Sequence, residues 1–380
     1  MNRLILAGGG HAHLHVLKSL ARRRWPDVEV VLLTPYARQI YSGMVPGWMA
    51  GHYALDQCAA SLHQLSSAAG VSLQLASLTA INADTRTLET SAGTMLDYDV
   101  LSVDTGANVD VSCLAASGVR SLSVRPLEQF VVDWCSLLEA ARQQGRWRLA
   151  VVGGGAAGVE LALAAQYRLA KEIGHTNVSV TVVSGSPLLP GHGIRIREHV
   201  STCLGERGIA VVKARAAGSP NGLLLDDGTA LEVDAVIAAT GVQPPAWLRR
   251  SGLALAMDGF IAVGEGQQST SHSNVFAGGD IASRVDHPHA KSGVYAVRSG
   301  PVLANNLQRA LQGQSPLPYT PQRRSLYLLA TGPRDAILSW NGLTARAGWI
   351  WRWKNWIDQR FMRQYRLNTP SARGEQHGAS

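Results

Sequence analysis

A short apolar strand, a run of three glycines and a helix follow one another twice in this chain, and no other feature restricts its fold so closely. Arg3-Leu4-Ile5-Leu6-Ala7 runs into Gly8-Gly9-Gly10-His11-Ala12-His13, a helical pattern covers Leu14 to Leu20, and a second strand, Val28 to Leu33, follows Pro26. The order returns with Arg148 to Val152, Gly153-Gly154-Gly155-Ala156-Ala157-Gly158, a helix from Val159 to Leu169 and a strand from Val178 to Val183. Strands alternating with helices predict an α/β fold. Each copy also closes alike. Tyr98 to Gly106 and Val233 to Gly241 are buried strands that enter a Thr-Gly turn, each preceded by a hairpin pattern: Leu88 to Leu96 around Gly93, and Leu223 to Leu231 around Asp227-Gly228. The chain reads as one plan used twice, with the second copy inserted into the first.

Its 380 residues suffice for two to three domains of roughly 150 residues, each with its own core. Charged residues at 16% and apolar residues at 46% argue against disorder and coiled coil. The longest apolar stretch, Leu149 to Ala165, is broken by three glycines and Glu160, so no membrane-spanning helix is expected. Arg3 with Leu4, Ile5 and Leu6 is too short an apolar start for a signal peptide, which makes the cytoplasm the default location. Cys58, Cys113, Cys135 and Cys203 lie too far apart for a zinc site or a redox Cys-x-x-Cys, and read as small core residues. Of the net charge of +8, most belongs to the segment from Arg323 to Arg366, where nine basic residues face only Asp335 and Asp358. Before it, Gln312 to Gln322 has the Pro and Gly content of a linker; after it, Arg373 to Ser380 reads as a frayed polar end.

A glycine turn that opens a helix aims backbone N–H groups at a diphosphate, and side chains at its first two glycines would block the approach. Gly8, Gly10, Gly153 and Gly155 hold those positions. In the first turn His13 replaces the third glycine, which normally permits close packing of helix on strand; either the helix is displaced or the imidazole lies along a gap. His11, His13 and His15 do not share one face and have no companion carboxylate or Cys, so no metal site is expected. The acidic residue that would hold an adenosine ribose is missing: Thr34 and Ser184 stand at the ends of the second strands. No arginine adjoins Ser184 in sequence, Arg195 and Arg197 being farther on, so NADH and NADPH stay equally open.

Asn274-Val275-Phe276-Ala277-Gly278-Gly279-Asp280 adds a buried strand ending in Gly-Asp before a helix. With both glycine turns, both Thr-Gly closures and Gly158-Val159-Glu160, the order resembles the two-dinucleotide flavoproteins, the pyridine nucleotide-disulfide oxidoreductases, over residues 1 to about 305. Tyr41-Ser42-Gly43-Met44-Val45-Pro46-Gly47, Gly51-His52-Tyr53, Lys291 to Arg298 and the Trp-rich ending resemble a group related to type II NADH dehydrogenases, found in some organisms fused ahead of selenide, water dikinase. The resemblance implies two Rossmann-like FAD/NAD(P)-binding domains, the second inserted in the first, plus a small C-terminal α+β region. It divides the chain into residues 1–110 with 245–310 for FAD, 111–244 for NAD(P)H, and 311–380 for the basic, Trp-rich region.

For FAD the resemblance implies Gly8, Gly10, His11, Ala12, Thr34, Pro35, Ser42, Gly43, Thr105, Gly106, Gly279, Asp280, Ser292, Gly293 and Val294, with Asp280 on the ribityl chain. For NAD(P)H it implies Gly153, Gly155, Ala156, Ala157, Gly158, Ser184, Thr240 and Gly241. Lys291, beginning a helix, would face the N1/O2 side of reduced flavin, and Glu160 would touch the nicotinamide carboxamide; a solvated lysine and an ordinary helix glutamate are the alternatives. Without a Cys-x-x-Cys relay, electrons would pass from flavin directly to a quinone or other small acceptor, and a cysteine-based sulfide oxidation is disfavoured. Trp349, Trp351, Trp353, Trp356, Phe361, Met362 and Tyr365 interleave with basic residues, which suits either a helix lying peripherally on the inner face of a membrane or one packed on protein. No nucleic-acid partner is expected, and a homodimer is left open. Two other readings are a reductase serving selenium metabolism and a flavin-bearing scaffold without turnover.

Overall fold

Leu4, Ile5, Leu6 and Ala7 are fully inaccessible, as befits a strand covered on both faces at the centre of a parallel sheet. The computed structural model describes residues 2–322 and 326–366. In it β1 (Asn2–Ala7), α1 (His11–Arg22), β2 (Val28–Thr34), β3 (Ser72–Leu75) and β4 (Val100–Val103) form the first unit. β1 pairs in parallel with β2 and β4, and β2 with β3. The hairpin expected around Gly93 consists of Thr87–Thr90 and Met95–Asp97, and Gly93 adopts φ +74°.

The second unit repeats this plan with β5 (Arg120–Ser123), α2 (Leu127–Gln144), β6 (Trp147–Val152), α3 (Ala156–Ile173), β7 (Val178–Val183), α4 (Ile194–Glu206), β8 (Ala210–Val212) and β9 (Ala235–Ala238). Its sheet runs β5-β9-β6-β7-β8, all parallel. The chain then returns to the first sheet, where β10 (Val275–Ala277) pairs with β4. Where it leaves and re-enters, Asn108–Val109 pairs antiparallel with Val242–Gln243, so the two connections run side by side. The fold is thus α/β with one Rossmann-like unit inserted in another. Helix α5 (Gly293–Leu311) closes the first unit by packing on α1; a Cβ at Gly300 would come within 2.5 Å of the His15 ring.

Beyond the linker lie β11 (Tyr327–Ala330), β12 (Ala336–Trp340), β13 (Leu343–Ala347) and α6 (Gly348–Arg363). The sequence alone suggests two strands here, Ser325 to Ala330 and Ala336 to Trp340, and the third follows from Asn341-Gly342: both residues take positive φ, 51° and 81°, as a two-residue hairpin turn requires. Ser325, expected to start the first of these strands, and the polar end from Arg373 to Ser380 lie outside the described residues. Leu329 and Ile337 join the core of the second unit, and Phe361, Met362 and Tyr365 that of the first. The Gly51-His52-Tyr53 stretch ties down the same region: His52 Nε2 lies 2.8 Å from the Gly332 carbonyl, and the Tyr53 hydroxyl donates to Asn355 Oδ1 at 2.9 Å.

Helix α6 divides its aromatics. Ile350, Trp351, Phe361 and Met362 are buried, while Trp349, Trp353 and Trp356 stand outward at 52%, 37% and 51% exposure. Packing and exposure both apply, to opposite faces. The cysteines also divide: Cys58 and Cys203 are buried, but Cys113 and Cys135 are exposed rather than core residues, because a short surface turn and the outer face of α2 carry them.

Candidate functional site

The C-terminal ends of the first unit's strands border a cavity of about 620 Å³, large enough for a sizeable cofactor. Gly8 to His11 follow β1, Thr34 and Pro35 follow β2, Asp104 to Gly106 follow β4, and Gly279-Asp280 follow β10. Arg125 reaches it from the second unit, between β5 and α2, Pro245 to Trp247 come from the returning connection, and Ser42, Gly293 and Ala296 complete the lining. Ligands of open α/β sheets bind at this edge.

Two features fit a polar dinucleotide such as FAD. His11 Nε2 is buried without a hydrogen-bond partner, on a ring that lines the cavity. Burial drops its pKa to about 4, with Asp280 opposing and Arg125 reinforcing, so the imidazole is neutral. Near it Asp280 pairs with Arg125 at 2.6 Å, both reaching the cavity. Arg125 was invisible in the sequence, 155 positions from its partner.

The glycines of the first turn also stand where the fold itself leaves no room for a side chain. A Cβ on Gly8 would lie 2.3 Å from the Asp104 carbonyl oxygen, and one on Gly10 or Gly279 would lie 2.3 Å from the Asp104 carboxylate. Asp104 itself is a site residue that sequence reasoning missed. Its Oδ2 accepts the N–H groups of Ala12 and His13 at 2.8 and 3.0 Å, capping the start of α1. Burial raises its pKa to about 7, against those two amides and with help from Asp280. The available signal was a carboxylate ending an apolar strand just before Thr105-Gly106.

His13 settles the question of the missing third glycine. Its ring is fully buried, with Nδ1 2.6 Å from the Gly8 carbonyl and Nε2 2.8 Å from Ser102 Oγ. Burial lowers its pKa to about 4, so the neutral ring donates from Nδ1 and accepts at Nε2 from the Ser102 hydroxyl. The imidazole fills a gap.

Several expected residues sit differently. Lys291 directs its ammonium to the Ala282 carbonyl at 2.7 Å and Ser283 Oγ at 2.6 Å, over the Phe260 ring, and it does not line the cavity. It precedes the helix start, so its side chain runs back along the neighbouring strand. Ser292 caps α5 by accepting the Val294 N–H, and Val294 is exposed outside the cavity lining. Thr34 is buried, its Oγ1 accepting the Tyr36 N–H.

Glu160 faces the C-terminal region rather than the glycine turn it follows. Its Oε1 accepts the Ala330 N–H at 2.8 Å, and burial lifts its pKa to about 7 against the pull of Lys354. Lys354 donates to the Gly43 carbonyl at 2.6 Å and to Asp358 Oδ2 at 2.7 Å. Burial depresses the lysine, but Asp358 and Glu160 outweigh this and hold it above its ordinary pKa. The Tyr41 hydroxyl, whose pKa burial and the neighbouring Asp358 carboxylate raise, completes the cluster. Since Gly43 adjoins the cavity-lining Ser42, the cluster lies directly behind the cavity wall.

In the second unit Gly153 takes φ +127°, and a Cβ on Gly158 would lie 2.0 Å from the Gly153 carbonyl, so this third glycine does permit close packing. Gly155 has open space before it, and the Ala156 and Ala157 amides start α3 beside it. Ser184 lies beneath Gly154, and its hydroxyl donates to the Ser186 carbonyl at 2.8 Å. Thr240 donates its hydroxyl to the Asp110 carbonyl, next to exposed Gly241. None of these residues lines the large cavity. Among the described residues no three His, Cys, Asp or Glu side chains are grouped to hold a metal ion.

The family model described as pyridine nucleotide-disulphide oxidoreductase matches residues 2–302. The chain belongs to that family. These are NAD(P)H-dependent flavin oxidoreductases, and membership implies FAD and NAD(P)H as cofactors. Ferroptosis suppressor protein 1 of Xenopus laevis is 30% identical over 209 residues, 50% of this chain and 53% of that protein. The internal alternative NAD(P)H-ubiquinone oxidoreductase A1 of Arabidopsis thaliana mitochondria is 28% identical over 167 residues, 41% of this chain and 32% of that protein. The chain spans about half the length of the first of these relatives and less of the second. The sulfide:quinone oxidoreductase of Aquifex aeolicus superposes with a TM-score of 0.79 over 96% of this chain and 91% of that one, at 17% identity. NDH2 of Plasmodium falciparum, solved with NADH, gives 0.77 over 95% and 98%, at 12% identity. At such identities the likeness speaks for the fold alone.

Proposed function

We propose that this protein is an FAD-dependent NAD(P)H oxidoreductase of the type II NADH dehydrogenase-like kind, which sends electrons to a quinone or similar small acceptor without a redox disulfide. The observation that carries the reading is the cavity lined together by the first glycine turn, the Arg125–Asp280 pair and the start of α5. FAD bound there supplies hydride acceptance from the nicotinamide. The protein's part is to hold and orient. The first turn and Thr34 line the cavity, Asp280 offers an acceptor for hydroxyls, and the α5 N-terminus, which also borders it, favours negative charge.

The cluster behind Gly43 suits an acceptor that gains protons as it gains electrons. Glu160, with a pKa near 7, can give and recover a proton at neutral pH, and Lys354 neutralises the carboxylate that remains. A quinone is such an acceptor, and ubiquinone is named for the Arabidopsis relative. The outward Trp349, Trp353 and Trp356, the exposed Trp340 and Leu343, and Arg352 and Arg360 beside them support docking on an anionic membrane, where a quinone dissolves. No helix among the described residues is long and apolar enough to cross a membrane. The selenium-linked reading gains no observation from the site or its relatives.

Anaerobic mixing of the purified protein with NADH or NADPH should bleach its flavin band, and a soluble ubiquinone analogue should restore it. A protein that holds FAD but is bleached by neither nucleotide would overturn the reading. For the membrane, full-length protein should sediment with anionic vesicles at low salt, and replacing Trp349, Trp353 and Trp356 together by Ser should stop it without unfolding the protein. Failure of the parent to sediment would remove the membrane and leave the oxidoreductase standing.

A further inference from the structure

The second unit has no carboxylate at the end of β7, where one would bind the 2′-hydroxyl of an NADH ribose: Ser184-Gly185-Ser186-Pro187 follows the strand. The structure brings an arginine there from far along the chain. β8 runs parallel beside β7, with Val183 opposite Val212, and the Ser184 N–H donates to the Val212 carbonyl at 2.9 Å. The ends of the two strands therefore lie together, and Lys213-Ala214-Arg215 emerges next to the serine turn. Arg215 lays its side chain along Gly185: a Cβ on that glycine would meet Arg215 Cγ at 2.8 Å and lies 3.8 Å from Nε. Any larger residue at 185 would have to push the arginine away.

Arg215 is exposed, and among the described residues its guanidinium forms no ion pair. The charges around it are Lys213, exposed on the same turn, and Asp226, whose N–H donates to the Arg215 carbonyl while its carboxylate makes no ion pair with the guanidinium. Asp227 is occupied with Thr229. By contrast Arg197, nearer to Ser184 in sequence, spends its Nε on the Leu189 carbonyl.

We infer that Arg215 selects a dinucleotide phosphorylated on the adenosine 2′-oxygen, making NADPH rather than NADH the preferred electron donor. A planar guanidinium binds a phosphate dianion through two parallel hydrogen bonds, and an uncharged serine turn leaves space and no repelling charge for that group. The inference rests on the reading that the second unit holds the reduced nucleotide.

The test separates the two statements. Calorimetric titration of the FAD-loaded protein at low salt compares 2′,5′-ADP with 5′-AMP, and stopped-flow flavin bleaching compares NADPH with NADH. Wild type should bind 2′,5′-ADP at least tenfold more tightly than 5′-AMP, with the ratio shrinking as salt rises. Arg215→Ala should bring the ratio close to one, and Arg215→Lys should retain part of it. Equal affinity of wild type for the two fragments, or a preference untouched in Arg215→Ala, overturns the selectivity while the nucleotide site survives. If neither fragment binds and neither nucleotide bleaches the flavin, the reading of the second unit fails as well.

Discussion

The two units share their strand order and a triple-glycine turn but fill the space behind that turn by opposite means. In the second, Gly158 brings the start of α3 against the Gly153 carbonyl, and Ala239 and Ile237 line the closing strand with apolar groups. In the first, His13, Asp104 and Ser102 occupy the corresponding positions, all buried. One arrangement joins helix to strand by near contact of backbones. The other joins them through a neutral imidazole and a carboxylate that already engages two helix amides. A glycine turn therefore marks topology more reliably than it marks what its amides bind. A side chain at Gly155 of the second turn would meet open space, while the Ala12 and His13 amides of the first are engaged by Asp104.

The widest expected difference comes from adding a carboxylate to each turn. Gly10→Asp would place its side chain onto the Asp104 carboxylate and against the first site, and the purified protein should lose its FAD entirely. Gly155→Asp has room, so the protein should fold, stay yellow, and lose bleaching by either nucleotide. Absorbance spectra and stopped-flow bleaching read both results. Stoichiometric FAD in the Gly10 variant would break the assignment of the first turn, and unaltered bleaching in the Gly155 variant that of the second.

What the sequence made legible follows the same division. Local signals sufficed for the strands, both turns, the helix starting near Lys291, and the insertion, because periodicity and glycine runs are short-range. The long-range partners were not legible. Arg125 meets Asp280 and Arg215 meets Gly185 because strands distant in sequence end side by side, and Lys354 and Asp358 meet Glu160 and Tyr41 because helix α6 packs back on the two units. Lys291 was misplaced for a related reason: its position was inferred from the helix it precedes, whereas Ala282, Ser283 and Asp258 on the neighbouring strand and loop decide where its ammonium goes.

Asp104→Asn sharpens the comparison next. In the native protein without FAD this carboxyl has a pKa of about 7, and in the unfolded chain about 3.8. Between those values the native state binds the extra proton, so wild-type stability falls as pH rises through that window and the full penalty stands above pH 7. Asparagine carries no such penalty. The stability of the variant relative to wild type should therefore climb between pH 4 and pH 7 and level off, by up to about 4 kcal/mol for three pKa units. Urea unfolding of the apoprotein at several pH values measures it. A flat difference would show that Asp104 ionises freely and that the first unit is not distinguished by a buried acid.

The smallest effect concerns the imidazole that replaces the third glycine. His13→Ala removes a buried ring and two hydrogen bonds and should cost about 2–4 kcal/mol near neutral pH. Ser102→Ala leaves Nε2 of His13 without its donor and should cost about 1 kcal/mol. Because the two side chains share one hydrogen bond, the double variant should cost less than the sum of the single ones. The loss in His13→Ala should also shrink as pH falls. Below about pH 6.5 the imidazole of the unfolded chain takes up a proton that the native one, with a pKa of about 4, refuses, so wild type alone is weakened there. Additive costs, or a His13→Ala loss that stays constant from pH 7 to pH 5, would mean that the ring is merely filling space, and the first unit would then differ from the second in volume rather than in chemistry.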